Sequence, residues 1–352
     1  ESLIGQKTGI GQYTHNLSKT LMGVTSISDF KFLAHGKLVE PETLLDQSDD
    51  ENKAGSSLSL IPESYAKLRG IASQNRVAVW CYWKLMPFID RYSLREYNDD
   101  DIFHSPNYIL PRFPGKRVVT VLDLSTVKFP QFHPQARVNF VNRNIDAAVR
   151  HADRIITISD FVKQELIELY GISENRISTT YLAASHHFKP VDRDAFNAKI
   201  SYSSLSYKKY FLFASTIEPR KNLSALLDAY ELYRGTAGKK AMPLVIVGHP
   251  GWNSEHLHER IKSMEGAGGI KYLGFVPQSQ IPSIFAGARA LLFPSLYEGF
   301  GLPVLEAMQS GTAVLTATNS AMSEVTRNSA SLIDINDPES MAQEIGRLTY
   351  DD

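Results

Sequence analysis

The sequence predicts an α/β chain of two doubly wound units, each built on a parallel sheet. Two observations carry this. Apolar runs of strand length alternate with helical patterns from one end to the other. Those runs are rich in Val, Ile, Leu and Phe without clean alternation, as expected of strands covered on both faces. A third observation gives the number of units. The alternation breaks once, at 184–209, and restarts at Tyr210, and 352 residues exceed one ordinary core.

In order, the predicted strands are KFLAH (31–35), DIFHSP (101–106), RVVTVLD (117–123), RIITIS (154–159), YFLFAST (210–216), PLVIVG (243–248), IKYLGFV (270–276), RALLFPS (289–295) and TAVLTA (312–317). Helices fill the spaces between them. Leu223, Leu226, Leu227 and Tyr230 recur at the spacing of one buried helical face, as do Val162, Leu166 and Leu169, with Gly171 as the stop. Strand–helix alternation implies right-handed crossovers between parallel strands. The boundary falls at about residue 190, giving units 1–190 and 191–352. Residues 40–75 are poor in apolar side chains and read as an excursion from the first unit. The opening ESLIGQKTGIGQYTHNL lacks a strand before its glycine-rich turn, and the closing GRLTYDD stops within a helical pattern; a short piece is therefore expected to be missing at each end.

Composition narrows the partners. Lys+Arg number 37 against 38 Asp+Glu, which supplies no field for nucleic acid. A single cysteine, Cys81, rules out an internal disulfide framework and a cysteine-rich zinc site, and a reducing compartment is the simple expectation. No apolar run reaches the length of a membrane span, and no leader pattern opens the chain.

The most informative stretch is LLFPSLYEGFGLPVLEAMQSGTAVL (291–315). RALLFPS is a buried strand, Pro303 suits a first helical turn and Gly311 a helix end. Glu298 then lies in the loop before the helix and Glu306 early within it. Gly299 and Gly301 bracket Phe300 and let backbone N–H groups approach a ligand. The helix N-terminus favours a diphosphate, and the carboxylates suit hydroxyls: Glu306 a ribose diol, Glu298 a sugar. Taken singly, either glutamate reads better as a helix-start carboxylate serving the macrodipole. The full string of strand, E-G-F-G, Pro and second Glu is far more specific.

EGFGLPVLE, with two glutamates separated by seven residues, resembles the signature of the retaining glycosyltransferases of family 4, which have the GT-B fold. TGIGQYTHNL, DIFHSPNYILP, VVTVLDLSTVKFPQFHP, RIITISDFVKQEL, FASTIEPRKNL, LVIVG and YLGFVP are similar to segments of that family and come in its order. The resemblance implies two Rossmann-like domains facing a cleft, acceptor in the first and nucleotide-diphosphate sugar in the second, with no essential metal and no other cofactor. Its phrasing is nearest to bacterial O-antigen and capsule mannosyltransferases. GDP-mannose is then the expected donor and a glycan or lipid-linked saccharide the expected acceptor, on the cytoplasmic side and in reach of the inner membrane face. A UDP- or dTDP-sugar is the alternative donor, and a non-catalytic nucleotide-sugar or glycan-binding module the alternative function.

Supporting residues follow from both readings. In STIEPRKN (215–222), Arg220 and Lys221 sit after a strand, ahead of a helix with Asn222 as N-cap, where they would neutralise a leaving diphosphate. The family often ends this strand in Gly-Arg, where this chain has Ser215 and Thr216. Gly9 and Gly11 form a turn before a helix; alone this could mark a dinucleotide loop, but Thr14 stands where that fingerprint needs Gly or Ala. In the family reading, that turn approaches the donor phosphates. Asp123 at a strand end joins Glu298, Arg220 and Lys221 as a catalytic candidate. The family often carries a histidine just before this aspartate, and here the residue is Leu122. His104, His133 and Ser159 are candidates for sugar or acceptor contact, although a lone histidine is more often structural. Gly299, Phe300, Gly301, Leu302 and Glu306 are donor contacts. The base is assigned to Val247–Gly248 and Phe275–Pro277, including Val276, where apolar residues are otherwise ordinary core. Arg76–Arg91 could lie against a membrane, but its apolar residues are too dense for one face and read as core.

Overall fold

The structure is a computed structural model and describes residues 9–34, 36–42, 45, 90, 92–97, 101–202, 205–252, 254–318 and 320–350. Cys81, all but Asp90 of Arg76–Arg91 and most of the 40–75 excursion lie outside them. Two compact units divide the chain: Glu1–Val121 with Asn144–Ile155, and Leu122–Arg143 with Ile156–Asp352. No helix among the described residues is long and apolar enough to cross a membrane.

In the first unit, α1 (Gly9–Met22) precedes β1 (Phe32–Ala34) and β2 (Lys37–Val39). The run KFLAH was expected to join a parallel sheet. Instead β1 pairs antiparallel with β2, because Gly36 takes φ 73° and turns the chain straight back. β3 (Ile102–Ser105) and β4 (Lys116–Val121) pair in parallel and begin a four-stranded sheet in the order β3-β4-β5-β6, completed by β5 (Arg154–Thr157) and β6 (Ile177–Thr179). A short helix, α2 (Ser125–Lys128), a 3-10 turn (Pro130–Phe132) and α3 (Gln135–His151) connect β4 to β5.

α4 (Asp160–Tyr170) follows β5 and has clear stops. Ser159 accepts the Val162 N–H at its start, and Gly171 ends it at φ 61°. Val162 and Leu166 are fully buried, as their spacing predicts, but Leu169 is exposed. It falls on the helix's last turn.

The second sheet holds six strands: β7 (Phe211–Ala214), β8 (Leu244–Val247), β9 (Ile270–Gly274), β10 (Ala290–Phe293), β11 (Ala313–Ala317) and β12 (Ser331–Ile333). Their order is β12-β11-β10-β7-β8-β9, and neighbouring strands pair in parallel. β7, β8 and β10 are buried at every position, so both faces are covered. Phe211 and Phe213 pack on one face against α6 (Leu223–Ala237), α7 (Glu255–Gly266) and α11 (Pro338–Tyr350). Leu212 and Ala214 pack on the other against α5 (Arg193–Lys199), α8 (Ile281–Gly287), α9 (Leu302–Gln309) and α10 (Ala321–Thr326). The sequence pattern overlooked β2, β6 and β12, all three residues long, because so short a run carries no periodicity.

Candidate active site

The strand order reverses between β7 and β10, and in doubly wound sheets ligands bind outside the carboxyl ends of the strands at such a point. β7 runs on into Ser215–Lys221 and β10 into Ser295–Gly301, so this is where Arg220, Lys221 and Glu298 meet. Lys221 Nζ donates to Glu298 at 2.6 Å, Arg220 Nη1 donates to the other carboxylate oxygen at 3.1 Å, and Ser295 Oγ donates at 2.6 Å. Arg220 Nη2 reaches Glu218 at 2.8 Å, and its Nη1 also donates to the Tyr297 carbonyl at 2.5 Å. Two cations therefore face two carboxylates in a buried, neutral quartet.

The electrostatics follow from that packing. Burial alone would push the Glu298 carboxyl up, but Lys221 and Arg220 overcome it and hold the group at about 2. Burial pulls the Lys221 ammonium down, assisted by Arg220 and opposed by Glu298. Arg220 is held above its ordinary value against burial by Glu298, Asp123 and Glu218. Sequence reasoning placed Arg220 and Lys221 beside a helix N-terminus capped by Asn222, where they would neutralise a leaving diphosphate. In the fold they are already compensated, and Asn222 does not cap with its side chain: at φ 55° it ends a 3-10 turn, Pro219–Lys221.

The glutamate loop is fixed from several sides. Tyr297 Oη accepts the Leu124 N–H at 3.1 Å and donates to Glu165 at 2.5 Å. Ser159 Oγ donates to the Gly299 carbonyl at 2.6 Å. A Cβ on Gly299 would lie 2.0 Å from the Leu122 carbonyl oxygen and 2.9 Å from Asp123 Cβ. Gly299 is thus required by the neighbouring backbone rather than only by a ligand. Gly301, at φ 93°, forms the N-cap of α9, with Leu302 and Pro303 in the first turn. Glu306 lies one turn further along and is half-buried. Burial pushes its carboxyl up to about 8.

Asp123 accepts from the backbone and hydroxyl of Ser125, at 3.0 and 2.8 Å, and its charge acts on Arg220. His133 is buried beside Trp252, with ring centroids 5.7 Å apart. Ser159 is fully buried, and its hydroxyl is engaged by the helix cap and Gly299, so it holds the loop. Phe300 is buried, with Tyr181 as aromatic neighbour. Val276 packs its side chain into the core, leaving only its backbone for a base. Gly248 is demanded by chain packing, since a Cβ there would meet the Ser215 carbonyl at 1.8 Å.

In the first unit, Gly9 and Gly11 lie inside the opening turn of α1, not in a turn before it. His104 Nε2 lies 2.9 Å from Thr120 Oγ1, which is also 3.1 Å from Tyr13 Oη, and burial lowers its imidazole to about 4. That histidine is neutral at physiological pH.

Sequence reasoning missed Glu218, Ser295, Tyr297 and His249. The first three sit within quoted motifs, but only folding shows that they hold Arg220 and Glu298. His249 stacks on the exposed Phe275, with ring centroids 5.0 Å apart, beside the segment assigned to the base. An aromatic pair after two neighbouring strands was the available signal. Among the described residues, no cluster of three or more His, Cys, Asp or Glu could hold a metal ion.

Comparison with known proteins agrees with this geometry. Residues 43–184 match the model for Glycosyltransferase Family 4, and residues 196–352 match that for Glycosyl transferases group 1. O-antigen chain mannosyltransferase B of Escherichia coli is 33% identical over 346 residues, covering 98% of this chain and 88% of that protein. The serotype-specific mannosyltransferase WbdA of Escherichia coli is 30% identical over 197 residues, 54% of this chain and 24% of the relative. Among solved structures, WaaG, a glycosyltransferase involved in lipopolysaccharide biosynthesis, superposes with a TM-score of 0.58 at 15% identity, covering 76% of this chain and 73% of that one. Anabaena Alr3699/HepE in complex with UDP and glucose superposes with a TM-score of 0.56 at 19% identity, covering 67% of this chain and 62% of that one. With a strand-reversal site built on the two-glutamate loop and a relative that matches nearly end to end, the chain belongs to glycosyltransferase family 4 and is a retaining glycosyltransferase of the GT-B fold.

Proposed function

We propose that the enzyme moves mannose from GDP-mannose onto a glycan or lipid-linked saccharide in polysaccharide or O-antigen assembly. The observation that carries the transfer chemistry is the Glu298–Lys221–Arg220 constellation at the reversal of strand order. The likeness to an O-antigen chain mannosyltransferase supports the donor.

The diphosphate arrives at cations that Glu298 already holds. Arg220 and Lys221 transfer part of their hydrogen bonding to phosphate oxygens, and Glu298 turns to the sugar hydroxyls. The acceptor hydroxyl attacks from the face the diphosphate leaves, and a donor phosphate oxygen takes its proton. Two fixed cations and the N-terminus of α9 stabilise the leaving group without a metal. Asp123 acts beside Arg220. Gly299–Leu302 offer backbone N–H groups and Glu306 accepts from the ribose diol. In the first unit, His104 serves the acceptor. The enzyme works on the cytoplasmic side, with peripheral contact to the membrane that carries its acceptor.

A thermal-shift screen with GDP-mannose, GDP, UDP-glucose and UDP, followed by turnover with acceptor glycans, tests this. GDP-mannose and GDP are expected to stabilise by roughly 2.7 kcal/mol at about 100 Kd. Selective stabilisation by the uridine ligands would replace the donor, and stabilisation without turnover on any acceptor would point to a binding module.

Glu306 adds a pH signature. A diol donates to the ionised carboxylate, so binding favours loss of the proton that burial retains up to about pH 8. Affinity for GDP is expected to rise about tenfold from pH 6 to pH 8, and Glu306→Gln to bind more weakly with no such rise. In the empty protein the sign is opposite. A raised carboxyl gives its full stability below the ordinary range near 4.5 and loses it as pH rises through about 8, so Glu306→Gln flattens stability over that window. Calorimetry and chemical unfolding at several pH values check both.

A further inference from the structure

His133 is 7% exposed, yet neither ring nitrogen has a hydrogen-bond partner. The Nε–H of Arg220 is buried and unpartnered as well, although the rest of that guanidinium is engaged. Unsatisfied buried polar atoms cost free energy, and each needs an explanation. These two share a neighbourhood, since the charges of Arg220 and Asp123 both act on the His133 ring.

The ring is held firmly. The His133 N–H closes the turn onto the Pro130 carbonyl at 3.1 Å, and Trp252 Nε1 donates to the Phe132 carbonyl at 2.6 Å, setting the indole against the imidazole. Arg137 lies over the indole at 5.3 Å. Burial and the two arginines pull the imidazole's pKa down against the opposing charge of Asp123, and in its neutral form the ring has one N–H to give. Two donors without acceptors, one carrying a positive charge, call for an anionic oxygen.

We propose that His133 and the Arg220 Nε–H jointly receive one oxygen of the donor diphosphate, and that Trp252 is the cover that moves aside to admit it. The proposal rests on the reading that a nucleotide diphosphate binds beside Arg220 and Lys221. It gives the second unit an imidazole at the donor, eleven residues beyond Leu122, where the family often carries a histidine.

The test uses the full chain, with GDP and UDP as probes, and follows affinity by calorimetry, Trp252 by fluorescence (Trp252→Phe as blank) and the thermal midpoint of the ligand-free protein. His133→Phe keeps a ring against Trp252 and removes the orphaned nitrogens. Its midpoint is expected to hold or rise, while affinity for the bound nucleotide falls at least fivefold and the Trp252 signal is lost. A packing histidine would show the reverse, a lower midpoint with affinity kept. If His133→Phe does not fold, His133→Asn is judged by the same fivefold loss. A smaller loss in a folded variant overturns the proposal. Lys221→Met separates the two readings: if it weakens binding and the His133 variants do not, only the role of His133 falls. If wild type binds neither nucleotide, both fall.

Discussion

Glu298→Gln is expected to destabilise the ligand-free protein by about 3–5 kcal/mol and to abolish measurable transfer. The amide keeps the size of the side chain but removes the charge that compensates Lys221 and Arg220, both within hydrogen-bond reach of it. Removing one partner of a buried ion pair leaves the others as uncompensated charge, which costs more than the pair contributed. Urea unfolding gives the stability change, and a coupled diphosphate-release assay gives the rate. Lys221→Met in the Glu298→Gln background should recover much of the stability and none of the activity, because it removes the orphaned ammonium along with a phosphate ligand. Wild-type stability also depends on pH through this group. A depressed carboxyl contributes fully above about pH 4.5 and is lost as pH falls toward about 2, so the variant should lack that acid loss. Equal unfolding midpoints for wild type and Glu298→Gln would mean that the quartet is not the structural centre of the loop.

Gly299→Ala is the second large effect. One methyl group would need the space of the Leu122 carbonyl, 2.0 Å away, and backbone cannot rotate aside as a side chain does. Either the E-G-F-G loop or the segment bearing Asp123 must shift. The expected cost is about 3 kcal/mol, at the upper end for overpacking. The loop is also bound at Tyr297 and at the Gly299 carbonyl, so a shift there carries Glu298 with it. Misplacement of about 1 Å at a reacting centre lowers turnover roughly 100-fold. Steady-state kinetics should show the loss mainly in kcat, with nucleotide affinity less affected. Gly301→Ala is strained by its φ of 93° but faces the movable Met322 side chain at 3.1 Å, so a smaller loss is expected. Comparable effects at the two glycines would argue against the backbone contact as the cause.

Much of this was legible in the residues because doubly wound sheets write themselves in long apolar runs. Every run from DIFHSP onward contains a strand, and Pro303 marks the start of α9 as predicted. KFLAH misled, because a strand of a small antiparallel hairpin and a strand of a parallel sheet read alike over five residues. At the site, EGFGLPVLE identified the glutamates but not what they touch. Glu218 and Ser295 are 77 residues apart in sequence and meet around Arg220 and Glu298 only because β7 and β10 are neighbours. Nor could Ser159 be distinguished from a ligand contact. A serine at a strand end is equally a helix cap, and only the carbonyl of Gly299, 140 residues away, decides between them.

The neutral quartet also bears on how the enzyme meets its donor in salt. Because its two cations face the carboxylates of Glu298, Glu218 and Asp123 and the whole chain carries a formal charge of -1, the site projects no positive field to draw an anion from afar. Attraction that acts only at contact is scarcely shortened by a Debye length near 8 Å. The nucleotide sugar is therefore captured by fit rather than drawn in from a distance, and its rate of arrival should be nearly the same in dilute buffer as in the ionic crowd of a cell.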